Sequence, residues 1–215
     1  RLGASNPRLR RAMHVWHSKI VWAAEKGFWD QARKFIDQGE DVEQRGHCGW
    51  TALGMASARG HIDTIRLLVE QKGADLEARD DDGKTALVWA CANGQTAAAE
   101  YLLARGADRE ACDCQGRGPL AWAAMNGFAE LVRLLAKLGA DVRRGDGMAL
   151  AAARGRWAVL AELEGWGLDV PEEQRPQLEA WRKRSGVEAA DAAWGWSNTS
   201  WSWGQGWSSW GEGWK

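Results

Sequence analysis

The residues in this sequence whose types could bind a metal form two close pairs. These pairs are His47 with Cys48 and Cys112 with Cys114. Imidazole nitrogens and thiolates are the ligands that Zn²⁺ prefers, and they must lie within about 2.3 Å of the ion. The repeat pattern described below places the two pairs on turns that an intervening unit separates. We therefore expect free thiols and no metal site.

A run of acidic residues raises the possibility of a calcium site. Asp80, Asp81 and Asp82 precede Gly83, as in the first half of a calcium-binding loop. The twelfth residue of such a loop should be glutamate, but counted from Asp80 it is Cys91. An alanine-rich segment begins directly after the turn, so we reject this site.

Motifs for catalysis are missing from the sequence. It contains no G-x-S-x-G, no phosphate-binding Walker loop, no H-E-x-x-H and no G-x-G-x-x-G. We therefore predict no catalytic residues, no cofactor and no enzymatic activity.

The composition is that of a globular protein of one or two domains. The chain has 215 residues, of which 28 are basic and 29 acidic, for a net charge of −1. This balance disfavours nucleic acid as a partner bound through bulk electrostatics. No stretch approaches the roughly 18 uninterrupted apolar residues of a transmembrane helix. The 4 cysteines fit a reducing compartment.

The elements that must position any site repeat along the chain. Residues 51–56 (TALGMA) recur as 85–90 (TALVWA) and as 118–123 (GPLAWA). Glycines that follow these segments at one fixed distance are spaced by 33, 34, 33 and 28 residues. These glycines are Gly27, Gly60, Gly94, Gly127 and Gly155. A second marker, a glycine two residues before an aspartate, has a similar period at 39–41, 73–75, 106–108, 139–141 and 167–169.

Each repeat predicts two helices. Thr51 is a suitable N-cap for a first, alanine-rich helix, and Gly60 permits the left-handed residue that ends it. Apolar residues from Ile62 to Val69 then recur at helical spacing. Because one such pair cannot bury its own apolar face, neighbouring pairs must stack into a solenoid.

With T-x-L-x-x-A and G-A-D at a period near 33, residues 16–170 resemble the ankyrin-repeat family. The resemblance implies an all-α solenoid of about five helix–turn–helix units joined by β-hairpin-like turns. The histidine usual in the family's first helix is replaced by Gly54, Val88 and Ala121, so its hydrogen bonds to the turn are absent. The extra residue of the second unit falls near Lys72. The last unit is shorter, as in a C-terminal capping repeat.

The resemblance also implies a non-enzymatic scaffold that binds a protein partner on its hairpin tips and inner helices. An apolar patch of the partner would pack against Trp50 and Met125, with charged tips around it. The positions of this sequence that match the family's contact surface are Arg45, His47, Trp50, Arg59, Asp81, Asp82, Lys84, Asn93, Arg117, Met125 and Asn126.

Three tryptophans occupy one repeat position. Trp22, Trp89 and Trp122 could form an aromatic ladder for stacking bases or sugars. A stripe at repeat spacing is more often core than site, so we expect these residues to pack between neighbouring repeats.

Four regions follow from these patterns. Residues 1–15 form a basic lead-in, 16–170 the repeats, 171–193 a polar helix or linker, and 194–215 a low-complexity tail of Trp, Gly and Ser. Because the chain begins at Arg1 rather than Met, import into an organelle stays open. Otherwise an intracellular location, cytoplasmic or nuclear, is expected.

The tail has several interpretations. Its indoles could pair across a hairpin, insert into Argonaute pockets as GW/WG repeats do, or stack on single-stranded nucleic acid. It could also be a repeat expansion that folds back on the solenoid. The alternative function is therefore an adaptor whose tail binds Argonaute-like or nucleic-acid partners. The candidate tail contacts are Trp194, Trp196, Trp201, Trp203, Trp207, Trp210 and Trp214.

Overall fold

The computed structural model describes residues 18–143 and 146–186, and the described residues are helical with no β-strand. The chain divides into two compact units, residues 1–178 and 179–215. The described residues of the first unit form five helix pairs, which confirms the all-α repeat fold. The helices are α1 (Lys19–Lys26), α2 (Trp29–Asp37), α3 (Ala52–Arg59), α4 (Ile62–Arg66), α5 (Ala86–Ala92), α6 (Thr96–Ala104), α7 (Pro119–Asn126), α8 (Ala129–Lys137), α9 (Gly147–Ala153) and α10 (Trp157–Gly165).

Hydrogen bonds from side chains fix where the inner helices begin. The Thr51 hydroxyl accepts the backbone N–H of Gly54 at 3.0 Å, and the Thr85 hydroxyl that of Val88 at 3.4 Å. In α7, Pro119 occupies the first turn, where its missing N–H costs nothing. The threonine caps predicted from the repeat motif are therefore present.

Glycine ends the inner helices for two reasons. Gly60 and Gly94 have φ angles of 72° and 72°, a region that L-residues rarely adopt. A Cβ at Gly94 would also lie 2.6 Å from the Phe128 ring of the next unit. The repeated glycine thus serves both the chain reversal and the close stacking of neighbouring units.

The core lies along the stacked inner helices. Each of α1, α3, α5, α7 and α9 packs against the next one in the series. Ala56, Ala90 and Ala123 are fully buried at these contacts, and their small side chains let the helices approach closely. Larger side chains such as Leu87 and Leu102 fill the space between inner and outer helices.

The extra residue of the second unit is accommodated by a π-helical turn. Helix α4 continues into this turn, Leu67–Gln71, before Lys72 ends it. A π turn takes one residue more than the α-helical turn it replaces. The extra residue near Lys72 is therefore accommodated by a local widening of the outer helix.

Turns between the helix pairs are closed and linked by backbone hydrogen bonds. Within one turn, the N–H of Asp80 donates to the carbonyl of Lys84 at 3.1 Å. Between turns, the N–H of Asp81 donates to the carbonyl of Cys48 at 3.2 Å, and that of Cys114 to Asp82 at 2.9 Å. These three successive turns are hairpin-like, and the bonds between them form a continuous row.

Glutamates tie each unit to the next at the other end of the turn. The Glu43 carboxylate accepts the N–H of Asp75 at 2.9 Å, and Glu77 accepts that of Asp108 at 2.8 Å. The same bond joins Glu110 to Asp141 at 2.8 Å. The aspartate of the second sequence marker therefore has a structural role, because its backbone N–H donates to the glutamate of the neighbouring unit.

The last described helix, α11 (Arg175–Ser185), lies in the segment for which a polar helix is predicted. The basic lead-in and the seven candidate tail tryptophans lie outside the described residues. Among the helices that the structure describes, none is long and apolar enough to cross a membrane.

Candidate partner-binding surface

A stack of indole and cationic side chains lies beside the row of turns. The rings of Trp50 and Trp89 are 4.3 Å apart, with their planes tilted by 44°. The Lys84 ammonium lies 4.4 Å from the Trp89 ring and 4.9 Å from the Trp122 ring. The Arg117 guanidinium then lies 4.2 Å from the Trp122 ring. We call these five side chains the tryptophan–cation ladder.

The ladder arises from two repeat positions that face each other. Trp50, Lys84 and Arg117 stand at the end of three successive turns. Trp89 and Trp122 stand one turn into the inner helices that follow. Stacking of the units brings the two positions into one line, so indoles alternate with cations along most of it. Cation–π contacts of this kind contribute about 0.5–2 kcal/mol each.

Two aspartates hold the indoles of the ladder in place. Trp89 donates its indole N–H to the Asp80 carboxylate at 2.8 Å, and Trp122 donates to Asp113 at 3.0 Å. Asp80 also accepts the backbone N–H of Lys84 at 2.8 Å. Each aspartate therefore joins the turn to the inner helix. The absence of the family's usual histidine predicted that this connection between turn and helix would be lacking, but the aspartate and the tryptophan make it instead.

Asp113 is the most densely bonded carboxylate of the surface. Burial alone would raise its pKa, but backbone N–H groups of Arg117 and Gln115 and the side chains of Arg117 and Trp122 donate to it. Together these bonds lower the pKa of Asp113 below its usual range. The carboxylate stays charged and pairs with the Arg117 guanidinium at 3.0 Å.

The three tryptophans pack against neighbouring side chains, as expected, but to different depths. Trp22 is 3% exposed and lies in the core. Trp89 and Trp122 pack against Trp50 and Lys84 of the preceding units but are half-buried, so only the expected depth of burial is wrong for these two. Asp80 and Asp113 hold these two indoles at the edge of the helix stack. Their faces are covered by Lys84 and by the neighbouring ladder residues, which does not suit stacking of a base or sugar.

The predicted contact residues separate by exposure. Those at the surface are Arg45, His47, Arg59, Asp81, Asp82 and Asn93, while Trp50, Arg117 and Asn126 are half-buried. Lys84 is 9% exposed because its ammonium lies between two indoles and pairs with Asp82 at 2.9 Å. Met125 is 3% exposed in the core of α7. The predictions of Lys84 as a free cation at a turn tip and of Met125 as an apolar anchor are therefore wrong, because both side chains are buried.

Side chains along the inner helices are linked from unit to unit. The Arg59 guanidinium pairs with the Glu25 carboxylate at 3.2 Å. The Asn126 amide donates to the carbonyl of Ala92 at 2.8 Å. These bonds pre-organise the polar side chains of this surface, which lowers the entropic cost of binding a partner.

The four cysteines do not meet. Cys48 and Cys114 are exposed, Cys112 is half-buried and Cys91 is buried, where burial raises the pKa of its thiol. Within residues 18–143 and 146–186, no three side chains of His, Cys, Asp or Glu gather where they could hold a metal ion.

Trp50 and Arg117 lie at the ends of turns, as the repeat pattern predicted, but the ladder was not predicted from the sequence. Asp80 and Asp113, which orient the indoles, were not predicted either. The signal available was the shared spacing of 33 residues between Asp80 and Asp113 and between Trp89 and Trp122.

Comparison with known proteins agrees with the stacked helix pairs of the fold. The family model "Ankyrin repeats (3 copies)" matches residues 20–111 and 79–146. The chain belongs to the ankyrin-repeat family. Ankyrin repeats generally mediate protein–protein interactions, and they are typically non-enzymatic.

Individual relatives share short segments with the chain. It is 42% identical over 71 residues to human "Ankyrin repeat domain-containing protein 63", which covers 33% of this chain and 18% of that protein. It is 34% identical over 88 residues to the rice "Probable E3 ubiquitin-protein ligase XBOS33", covering 41% and 17%. It is 37% identical over 68 residues to the fission yeast "Ankyrin repeat-containing protein P1E11.10", covering 31% and 32%. The chain thus spans less than a third of the length of these relatives.

Proposed function

We propose that this chain is a non-enzymatic scaffold that binds a protein partner along its hairpin tips and inner helices. The tryptophan–cation ladder is the observation that carries this proposal. Half-buried tryptophans beside exposed charges of both signs are typical of the residues that dominate binding energy at protein interfaces.

The ladder residues are well prepared for binding. Trp89 and Trp122 are fixed by hydrogen bonds to aspartates and by stacked cations. Their side chains therefore lose little conformational freedom when a partner covers them. Trp50, at one end of the ladder, contacts Trp89 and is half-buried, so it is the anchor we propose for an apolar partner side chain.

Charges around the ladder would set the partner's orientation. Arg45 is exposed on one turn, whereas Asp81 and Asp82 are exposed on the next, where Asp82 pairs with Lys84. A partner segment with acidic residues opposite the first turn and basic residues opposite the second would match this order. Such rim charges act mainly on specificity and association rate.

A quantitative pull-down with the full chain tests the proposal. Proteins recovered by the wild type are compared with those recovered by Trp50→Ala and by Leu138→Ala, which removes an exposed apolar side chain at the end of an outer helix. We expect a partner that is retained by Leu138→Ala and lost by Trp50→Ala. Equal recovery by both variants would contradict the proposed surface.

A further inference from the structure

A groove lies on the outer helices of the first two units, away from the tryptophan–cation ladder. Helix α2 contributes Trp29 and Arg33 to its walls, α4 contributes Asp63 and Arg66, and the π-helical turn contributes Glu70. Trp29 is 43% exposed, among the highest values for a large hydrophobic side chain in the described residues. We call this the outer groove.

The π-helical turn determines which charges the outer groove presents. From this turn, Glu70 accepts the Tyr101 hydroxyl at 2.8 Å and pairs with the Arg105 guanidinium. Both partners belong to α6 of the next unit. The charge of Glu70 is thereby balanced from outside the groove.

The remaining charges of the outer groove are mainly positive. Arg33 and Arg66 are exposed, and Arg66 lies 5.8 Å from the Tyr101 ring. Among the described residues, neither forms an ion pair within 4.0 Å. Asp63 opposes them with a single carboxylate. The outer groove thus combines an exposed indole with two guanidinium groups and one acidic group.

We propose that the outer groove docks an acidic segment of a partner protein. Carboxylates of that segment would pair with Arg33 and Arg66, because a guanidinium can donate two parallel hydrogen bonds to a carboxylate. An apolar side chain of the segment would pack on Trp29, since tryptophan and arginine together are the residue types enriched at binding hot spots. This surface is separate from the proposed ladder interface, so one scaffold could hold two segments.

A nucleic acid would also be attracted by two arginines. The affinity of a nucleic acid grows with the number of phosphates that the protein neutralises, and the outer groove offers only Arg33 and Arg66 for this. Two guanidinium groups can pair with two carboxylates of a short acidic peptide, which is therefore the occupant we propose, and the test separates it from nucleic acid.

Fluorescence anisotropy with the full chain and labelled probes tests this proposal. The probes are a short peptide in which Glu alternates with Ser around one Phe, the same peptide with Lys for Glu, and a single-stranded oligonucleotide. We expect the acidic peptide to bind at least about tenfold more tightly than the basic one. Equal binding of the two peptides, or stronger binding of the oligonucleotide, would overturn the proposal.

Matched variants locate the binding. Arg33→Glu and Trp29→Ala are each expected to weaken binding of the acidic peptide by about tenfold. Lys34→Glu makes the same charge change at the next residue of α2, outside the groove, and should weaken it by no more than about twofold. Equal weakening by Arg33→Glu and Lys34→Glu would show that net charge alone attracts the acidic peptide, and it would overturn the proposal. Trp50→Ala, which tests the ladder, should leave this binding unchanged, so the two proposals fail independently.

Discussion

The indole N–H of Trp89 lies 2.8 Å from the carboxylate of Asp80 and joins an inner helix to the turn that precedes it. The equivalent bond joins Trp122 to Asp113 in the next unit. Since these units lack the family's usual histidine in the first helix, the tryptophan performs the connection instead. The same bond holds the indole half-buried at the edge of the helix stack, so one contact serves both the fold and the proposed interface.

We predict that replacing Asp113 destabilises the fold more than replacing an exposed neighbour in the row of turns. Asp113→Ala leaves the Trp122 indole N–H and the Arg117 guanidinium without their acceptor, which should cost about 2–3 kcal/mol. Asp81→Asn, on an exposed tip, should change the free energy of unfolding by less than about 0.5 kcal/mol. Urea unfolding measures both, and equal losses would contradict the role given to Asp113.

The lowered pKa of Asp113 predicts how stability depends on acid. Because the folded-state pKa lies below the unfolded value of about 3.9, the carboxylate stabilises the fold above that pH. This contribution is lost as the pH falls through the folded-state pKa. In Asp113→Asn, the free energy of unfolding should therefore fall less steeply below about pH 4 than in the wild type. Parallel pH curves would show that the bonds to Asp113 do not favour its charged form.

The repeated glycine at the end of an inner helix should not tolerate a side chain. Gly94→Ala places a Cβ at positive φ and 2.6 Å from Phe128, so we expect a loss above about 1 kcal/mol. Gly165→Ala is the control, because nothing lies within 4 Å of its Cβ, and it should stay within about 0.5 kcal/mol of the wild type. Thermal unfolding of both variants checks this. A stable Gly94→Ala variant would mean that the next unit can shift.

The cysteines should react with thiol reagents in order of exposure. Cys48 and Cys114 are exposed and should be modified quickly in the folded protein. Burial raises the pKa of Cys91 and closes access to it, so it should react only after unfolding. Mass mapping of the labelled residues, with urea-unfolded protein as the control, distinguishes them. Rapid native labelling of Cys91 would indicate that α5 opens readily.

Tyr101 reports on the contact made by the π-helical turn. Burial and the hydrogen bond to Glu70 raise its pKa to about 12, so the neutral phenol stabilises the fold fully below about pH 10, and this contribution is lost as the pH rises through about 12. It is the chain's 1 tyrosine, so phenolate absorbance measures it directly. In Glu70→Ala the midpoint should move towards about 10, the value of a free tyrosine. An unchanged midpoint would argue against the Glu70 contact.

Much of the fold could be predicted because it depends on periodic, local features. Gly60 and Gly94 mark the helix ends, and the extra residue was located near Lys72, although the π-helical turn that accommodates it was not predicted. The burial of Lys84 could not be predicted in this way. It depends on contacts between side chains of different units, which the repeat template does not describe.

The surface was harder to predict for the same physical reason. A repeat position that is apolar in the template is only half-buried when a neighbouring aspartate accepts the indole N–H, as at Trp122. Met125 shows the opposite error, since its position matches the family's contact surface but its side chain packs inward. Exposure thus depended on the polar partners of each side chain as well as on its register.

The most direct test of the partner-binding surface is the affinity of the recovered partner for four forms of the chain. These are the wild type, Trp50→Ala, Arg45→Glu and a chain ended at Ala193. We predict that Trp50→Ala weakens binding by about tenfold or more and that Arg45→Glu, an exposed change that leaves the ladder intact, weakens it less. The shortened chain should bind as the wild type does. Full affinity in Trp50→Ala and Arg45→Glu, or loss of binding with residues 194–215, would contradict it and move the function to the tail.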